Sequence, residues 1–316
     1  MKLTVQDLYD LYGNSLEFEK IKSQAGMDHA IKVAHIQRPG LSLSGYPIRK
    51  KDNRILIFGR MELSYLRDLS PKIRVERLAK VITSSNPAVI VSRGLTPPRD
   101  LLKHCQQMGI PLFRSPLRSM TLMSKLTVIL SDAFSPIECV HGTLIEAYGI
   151  GVLIRGDSSV GKSEAALGLI ERGHRLISDD VVLLKGKEDR RLIGSGPDLN
   201  KHLLELRGIG IVNVAHLFGA VSVRNEVPVD IVIHLEDWDE THYYDRVGLE
   251  KRFTEFLGIK VPLYLHPVKP GRDVVLLIET TILNHRLKEM GYHSAKEFNQ
   301  KLLEEIARKR QVGRES

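Results

Sequence analysis

Cysteine is nearly absent. The 316 residues contain two, Cys105 and Cys139, too few for a disulfide framework or a cysteine zinc cluster. No run of about 18 apolar residues occurs, so no membrane-spanning helix is expected. No N-x-S/T acceptor is present, and neither H-E-x-x-H nor G-x-S-x-G appears, which removes the common zinc-protease and serine-hydrolase signatures. The first stretch carries Asp7, Asp10, Glu17 and Glu19 where a signal peptide would be apolar. No internal repeat, zinc-finger spacing or aromatic RNA-binding motif is visible. A soluble cytoplasmic protein is expected, with no membrane and no nucleic-acid partner.

What is present is ordinary for a folded protein: 42% hydrophobic and 27% charged residues, a balance that excludes disordered, collagenous and coiled-coil readings. At about 100–200 residues per domain the length suggests two domains, each able to bury a core without disulfide staples. The net charge of +8 is uneven: residues 1–132 hold 21 Lys/Arg against 11 Asp/Glu, and residues 133–316 hold 25 against 27. The basic residues of the first part are scattered among apolar ones, as on a solvated or interdomain surface. The shift marks a change of character near residue 130, and the expected division is 1–132 and 133–316.

The first part alternates helix and strand signals, which predicts an α/β domain. Ser70-Pro71 opens a helix to about Ile82; residues 88–91 form a strand; Pro97-Pro98 opens a second helix ended by Gly109; residues 110–113 form the next strand. On that second helix Cys105 lies in the apolar row with Leu101 and Leu102, so it reads as a core residue. Residues 131–136 are expected to be a linker. Strands are then predicted at 137–144, 151–155, 175–177, 181–184, 229–235 and 274–278. Ser294 and Glu297 have the form of a capping box. It opens a final amphipathic helix with Ala295, Phe298, Leu302, Leu303 and Ile306 as its stripe, fraying at about Arg308-Lys309-Arg310.

The strongest signal is Gly156-Asp157-Ser158-Ser159-Val160-Gly161-Lys162-Ser163, which fits G-x-x-x-x-G-K-[ST]. An apolar strand precedes it, and a helix with Ala165, Ala166, Leu169 and Ile170 on one face follows. Strand, glycine loop and helix are what phosphate binding requires. Glycines let backbone N–H groups converge on phosphate oxygens, and the helix N-terminus adds partial positive charge. Lys162 is expected on the β- and γ-phosphates and the Ser163 hydroxyl on Mg²⁺. The cofactors expected are ATP and Mg²⁺.

Further residues decide what is done with the triphosphate, and taken singly they are ambiguous. Asp179-Asp180 at a strand end suits a metal ligand or a base, and equally a turn or cap. His141, on a strand just before that of the phosphate loop, reads alone as a structural histidine. Glu205 and Arg207 read as surface charges, and Glu236-Asp237-Trp238-Asp239-Glu240 as a solvated loop or a metal lure.

Their joint order is more specific. Val140-His141-Gly142, the phosphate loop, Ser178-Asp179-Asp180, Leu204-Glu205-Leu206-Arg207-Gly208 and Pro267-Val268-Lys269-Pro270-Gly271-Arg272 together resemble the HPr kinase/phosphorylase family, motif-dense over about residues 135–280. The resemblance implies a Mur-ligase-like N-terminal α/β domain and a P-loop kinase domain similar to phosphoenolpyruvate carboxykinase, assembled as a homo-hexamer. It also implies ATP-dependent phosphorylation of a serine on the carrier protein HPr, and removal of that phosphate by inorganic phosphate with release of pyrophosphate. Asp180 would be the base of the first reaction and the acid of the second, with His141 beside it. Lys162 would neutralise the transferred group, Ser163 and Glu205 would hold Mg²⁺, and Arg246 would stabilise transition-state charge. Segments 204–213 and 267–272 match those implicated in both activities and in dephosphorylation. Ser159, Lys269 and Asp273 depart from the family's frequent glycine, arginine and asparagine, which bears most on the phosphorylase, since Lys and Arg differ as phosphate contacts. A small-molecule or carboxykinase-like kinase, and a nucleotide-dependent binding protein, are the alternatives.

Overall fold

The computed structural model describes residues 3–21, 25–46, 53–241, 250–269 and 271–315. The chain divides into two units, Met1–Ser135 and Pro136–Ser316. Half of the expected linker is helical instead: helix Ser119–Ala133 absorbs Ser131, Asp132 and Ala133. Leu122, Leu126 and Leu130 continue its buried row at four-residue steps, and the polar residues of the supposed linker occupy only its last turn. Among the described residues no helix is long and apolar enough to cross a membrane.

The first unit is built on a five-stranded sheet. Strands Ile36–Gln37, Ile55–Phe58, Val89–Val91 and Leu112–Arg114 run parallel, and Glu19–Lys20 is added antiparallel at the far edge. Alternation along each strand assigns the two faces. Ile55, Ile57, Ala88, Ile90 and Phe113 join one apolar cluster with Leu122, Leu126 and Leu130. Leu56, Phe58, Val89, Val91 and Leu112 join the other with Leu66, Leu78 and Leu101. A sheet buried on both faces reads as a continuous apolar run, which is why residues 88–91 and 110–113 were legible; Glu19–Lys20, Ile36–Gln37 and Ile55–Phe58 were not expected. Cys105 lies in the second cluster, and burial pushes its thiol up to about 12. It is a packing residue, not a reactive one.

The second unit stacks two sheets and covers one of them with helices. The six-stranded sheet runs, in spatial order, Arg252–Phe256, Ile259–Val268, Ile231–Asp237, Ile150–Arg155, Thr143–Ala147 and Arg175–Ser178. The second, third and fourth of these are parallel and the remaining pairs antiparallel. Glu226–Pro228, Leu192–Ser195, Val181–Gly186 and Ile137–His141 form an antiparallel four-stranded sheet. Ile145, Val152, Ile154, Ile231 and Ile233 face the helices Lys162–Glu171 and Val274–Glu289, while Leu144, Leu153 and Val232 face the smaller sheet. This is a mixed α/β architecture.

Three expectations are corrected. Residues 137–144 are two strands, not one. The break is Gly142, at φ 158°, where a Cβ would sit 2.7 Å from the Ile154 carbonyl oxygen. His141 therefore belongs to the smaller sheet and Thr143 to the larger, and the strand immediately before the phosphate-loop strand is Thr143–Ala147. Residues 274–278 are the first turns of helix Val274–Glu289. Their valine and leucine content suggests a strand, but Asp273 accepts from the Leu276 N–H as N-cap, and Ile278, Ile282 and His285 bury at helical spacing. The final helix extends through Glu315 rather than fraying near Arg308, and its apolar residues Phe298, Leu302, Leu303 and Ile306 are exposed.

Close packing of the phosphate-loop strand gives a first test. A Cβ at Gly151 would lie 1.8 Å from the Pro228 carbonyl oxygen, a backbone atom that cannot rotate away. Gly151→Ala should therefore destabilise the second unit by about 1–3 kcal/mol, the usual cost of overpacking. Thermal unfolding would show this as a lowered midpoint, and an unchanged midpoint would mean the strands separate without cost.

Candidate active site

The phosphate loop leaves the C-terminal end of Ile150–Arg155, flanked by Thr143–Ala147 and Ile231–Asp237. Two glycines are obligatory there. Gly156 has φ 141° and a Cβ on it would meet the Leu235 carbonyl oxygen at 2.2 Å; Gly161, at φ 88°, is the left-handed residue that starts helix Lys162–Glu171. Between them Val160 is buried in the core and anchors the loop, whereas Asp157, Ser158 and Ser159 are exposed. Lys162 Nζ donates to the carbonyl oxygens of Gly156 (2.9 Å) and Asp157 (2.7 Å). Arg207 reaches across and donates to the Ser158 carbonyl oxygen at 3.0 Å. The loop is thus held by two cations of the kind that phosphate oxygens would attract.

Asp179 is the centre of the arrangement. Its carboxylate is 5% exposed and accepts from the Thr143 hydroxyl (2.6 Å), the Ser163 hydroxyl (3.0 Å) and, more weakly, the Glu205 N–H (3.4 Å). It joins the first turn of the phosphate-loop helix to a neighbouring strand and to the hairpin made by Leu203–Leu206 and Gly210–Asn213. In that hairpin Leu204 and Leu206 bury into the core, so alternation leaves Glu205 and Arg207 on the exposed side.

Asp180 is turned the other way. Its φ of 66° is left-handed, a conformation aspartate tolerates better than most residues. Its carbonyl accepts from the Gly142 N–H at 3.1 Å, and its carboxylate is 70% exposed, 3.7 Å from Nδ1 of the exposed His141. The reversal between Asp179 and Asp180 sends one carboxylate into the loop's supporting network and leaves the other open to a substrate. Backbone strain of this kind concentrates at functional sites.

The structure thus joins Ser163 and the Glu205 backbone through Asp179, holds Lys162 on the carbonyls of the phosphate loop, and separately pairs His141 with Asp180. Arg246 lies outside the described residues, as does Pro270. Of segment 267–272, Lys269 Nζ sits 3.9 Å over the Trp238 ring, and Arg272 donates to the Pro267 carbonyl oxygen at 2.9 Å. Asp273 caps the next helix and pairs with Arg172 at 3.2 Å, and that capping role is one asparagine shares. His266, just before the segment, is half-buried and bonded to the Thr281 hydroxyl at 2.8 Å. Burial, and then the charge of Arg272, lower its pKa to about 4, so it stays neutral at physiological pH.

Sequence reasoning missed the roles of Thr143, Arg207 and Trp238. Thr143 carries no local signal, because its partner lies 36 residues away. The glycine after Arg207 marks a turn, but not the loop that the guanidinium reaches.

The donor set fits a nucleotide with magnesium. Gly161 leaves open space at the start of the helix beside exposed loop residues, and the Ser163 hydroxyl with the carboxylates of Asp179 and Glu205 is the hard oxygen donor set that Mg²⁺ prefers. Comparison with known proteins places the chain in a kinase family. Residues 132–302 match the family model described as HPr serine kinase C-terminal domain, and residues 3–130 match the one described as HPr serine kinase N terminus. The chain belongs to the HPr serine kinase family. HPr kinase/phosphorylase of Listeria monocytogenes is 41% identical over 300 residues, covering 95% of each chain. That of Halalkalibacterium halodurans is 40% identical over 301 residues, covering 95% of this chain and 96% of its own. A solved HPr(Ser) kinase/phosphatase from Coxiella burnetii is 41% identical, covers 51% of this chain and 98% of its own, and has a TM-score of 0.47. The Listeria and Halalkalibacterium relatives match this chain over both of its units, whereas the solved Coxiella chain matches about half of it.

Proposed function

We propose that this chain transfers the γ-phosphoryl group of ATP to a serine of HPr, and reverses the modification with inorganic phosphate, releasing pyrophosphate. The observation that carries the proposal is the pair of opposed carboxylates. Asp179 is bonded to Ser163 of the phosphate loop, and the adjacent Asp180 is open to a protein substrate. Relatives with near-complete coverage that bear the name HPr kinase/phosphorylase support it.

In the forward direction the serine hydroxyl gives its proton to Asp180 as its oxygen bonds to the γ-phosphorus. The bond from that phosphorus to the bridging oxygen of ADP breaks. In the reverse direction an oxygen of inorganic phosphate attacks the phosphoserine phosphorus, the serine oxygen leaves, and Asp180 returns the proton. Phosphoryl transfer needs mainly positioning and charge neutralisation, so one set of groups can serve both. Lys162 leaves the Gly156 and Asp157 carbonyls for the phosphates. Backbone N–H groups of the loop would donate to the same oxygens, apart from that of Val160, which donates to the Asp157 carbonyl. His141 orients Asp180, and Arg246 stabilises transition-state charge. Ser163 and Glu205 would hold Mg²⁺, with Asp179 accepting from the Ser163 hydroxyl and so aiming its lone pairs. The metal, when bound, neutralises charge on the β- and γ-phosphates. The active form is a cytoplasmic homo-hexamer.

Incubation of the chain with labelled ATP and purified HPr tests this reading. Label should appear on an HPr serine, and added phosphate should remove it with stoichiometric pyrophosphate. Absence of transfer to HPr would overturn it. Metal binding is tested separately: Glu205→Gln should raise the Mg²⁺ concentration for half-maximal activity about tenfold or more, because a neutral amide is a weaker hard-cation ligand. An unchanged Mg²⁺ titration would make Glu205 structural only.

A further inference from the structure

A second cavity of the catalytic unit, of about 310 Å³, is built by different elements. It lies between the edge strand Arg252–Phe256, the middle of Ile259–Val268, the last turns of Val274–Glu289 and the start of the final helix. His285 is twelve residues beyond Asp273 along a helix, about 18 Å at 1.5 Å per residue, so the cavity stands well away from segment 267–272.

Its floor is apolar: Phe253, Pro262, Leu263 and the ring of Tyr264. Its rim carries four cations, Lys251, Arg252, Lys288 and Lys296, against two carboxylates, Glu250 and Glu289. Arg252 is paired with Glu250 at 3.1 Å, but Lys251, Lys288 and Lys296 form no ion pair among the described residues. Lys288 rests 5.4 Å from the centre of the Tyr264 ring. The three lysines converge on His293, whose pKa lies below the ordinary histidine value, first through desolvation and then through repulsion by Lys296, Lys251 and Lys288.

His285 adds an independent sign of an unfilled site. It is 7% exposed, and its Nδ1 meets the Tyr264 hydroxyl at 3.1 Å. Its Nε2 is buried without a hydrogen-bond partner, 3.6 Å from Glu289 Oε1. Burial lowers the pKa of His285 and raises that of Tyr264, and whichever of the two donates to the other, Nε2 is left without a hydrogen-bond partner. Buried donors are normally satisfied, and each exception asks for an explanation.

We propose that this cavity is a binding site for a small organic anion with a planar apolar body, of the aryl phosphate or aryl carboxylate class. The acidic group would sit among Lys251, Lys288 and Lys296, the body against Phe253, Leu263 and Pro262. A polyhydroxylated body would leave its hydroxyls unpaired against that floor, which selects for an apolar one. A cavity near 300 Å³ is at the lower end of small-molecule sites and suits a single ring with one charged group.

Calorimetry and histidine NMR of the full chain with phenyl phosphate and with benzoate test the proposal. One equivalent should bind, shifting the His285 and His293 resonances. Lys162→Ala should leave this binding intact, which separates it from the phosphate loop and from the proposed kinase function. Lys288→Ala should weaken it about tenfold, the effect expected for losing one hydrogen bond to a charged group, and Lys251→Ala, on another element, should do the same. Mutual displacement of the two probes shows that either head group serves; binding of only one assigns the head group. No binding at millimolar probe, loss in Lys162→Ala with retention in Lys288→Ala and Lys251→Ala, or equal affinity for inorganic phosphate would each overturn the proposal.

Discussion

Lys162→Ala is expected to lower both phosphorylation of HPr and phosphorolysis of its phosphoserine by at least about 10²–10³-fold, the scale of losing one group aimed at developing charge. The reason is that both directions pass through the same phosphoryl group, and the lysine ammonium is the cation anchored to the loop that would cradle it. Its present partners are two loop carbonyls, at 2.9 and 2.7 Å. Exchanging carbonyl oxygens for charged phosphate oxygens is strongly favourable for an ammonium. The substitution leaves the fold alone, because the side chain is half-buried at the start of a helix whose buried face is Ala165, Ala166, Leu169 and Ile170. Circular dichroism and elution volume should match the parent chain. Near-parental transfer rates in a folded variant would sink the phosphate-loop assignment.

Asp180→Asn carries the second large effect, a loss of about 10²–10⁴-fold in both directions, the range of general acid–base groups. An amide can neither accept the serine proton nor return it. Nucleotide binding should survive, because the contacts that shape the loop belong to Asp179, Lys162 and Arg207, not to Asp180. The measurement is therefore paired: transfer rates beside nucleotide affinity in one preparation. A loss confined to affinity would show that Asp180 supports the loop instead of moving a proton. The φ of 66° at this position adds a structural reason to choose asparagine, since it is the replacement that best tolerates a left-handed backbone.

Much of this was readable from the sequence, because local patterns determine local structure. Glycines 156 and 161, the lysine and serine after them, and the apolar strand before them specify the loop wherever they occur together. The continuous apolar runs at residues 88–91 and 151–155 specify strands buried on both faces, whereas the equally buried Ile55–Phe58 was not anticipated. Residues 274–278 were misread for the same reason. A short apolar, β-branched run satisfies both periods, and only the Asp273 cap and the burial of Ile278 and Ile282 four residues apart decide for helix.

Tertiary structure alone decided how the charged residues divide their labour. In the sequence Asp179 and Asp180 are an undifferentiated pair, and His141 and Thr143 lie two residues apart on what reads as one strand. The left-handed turn at Asp180 and the kink at Gly142 send each pair in opposite directions. Thr143 and Asp179 go to the buried hydrogen bonds beneath the phosphate loop; His141 and Asp180 go to the open surface. Contacts of this kind join residues dozens of positions apart, through strand pairing in two different sheets, and no spacing rule along the chain encodes them.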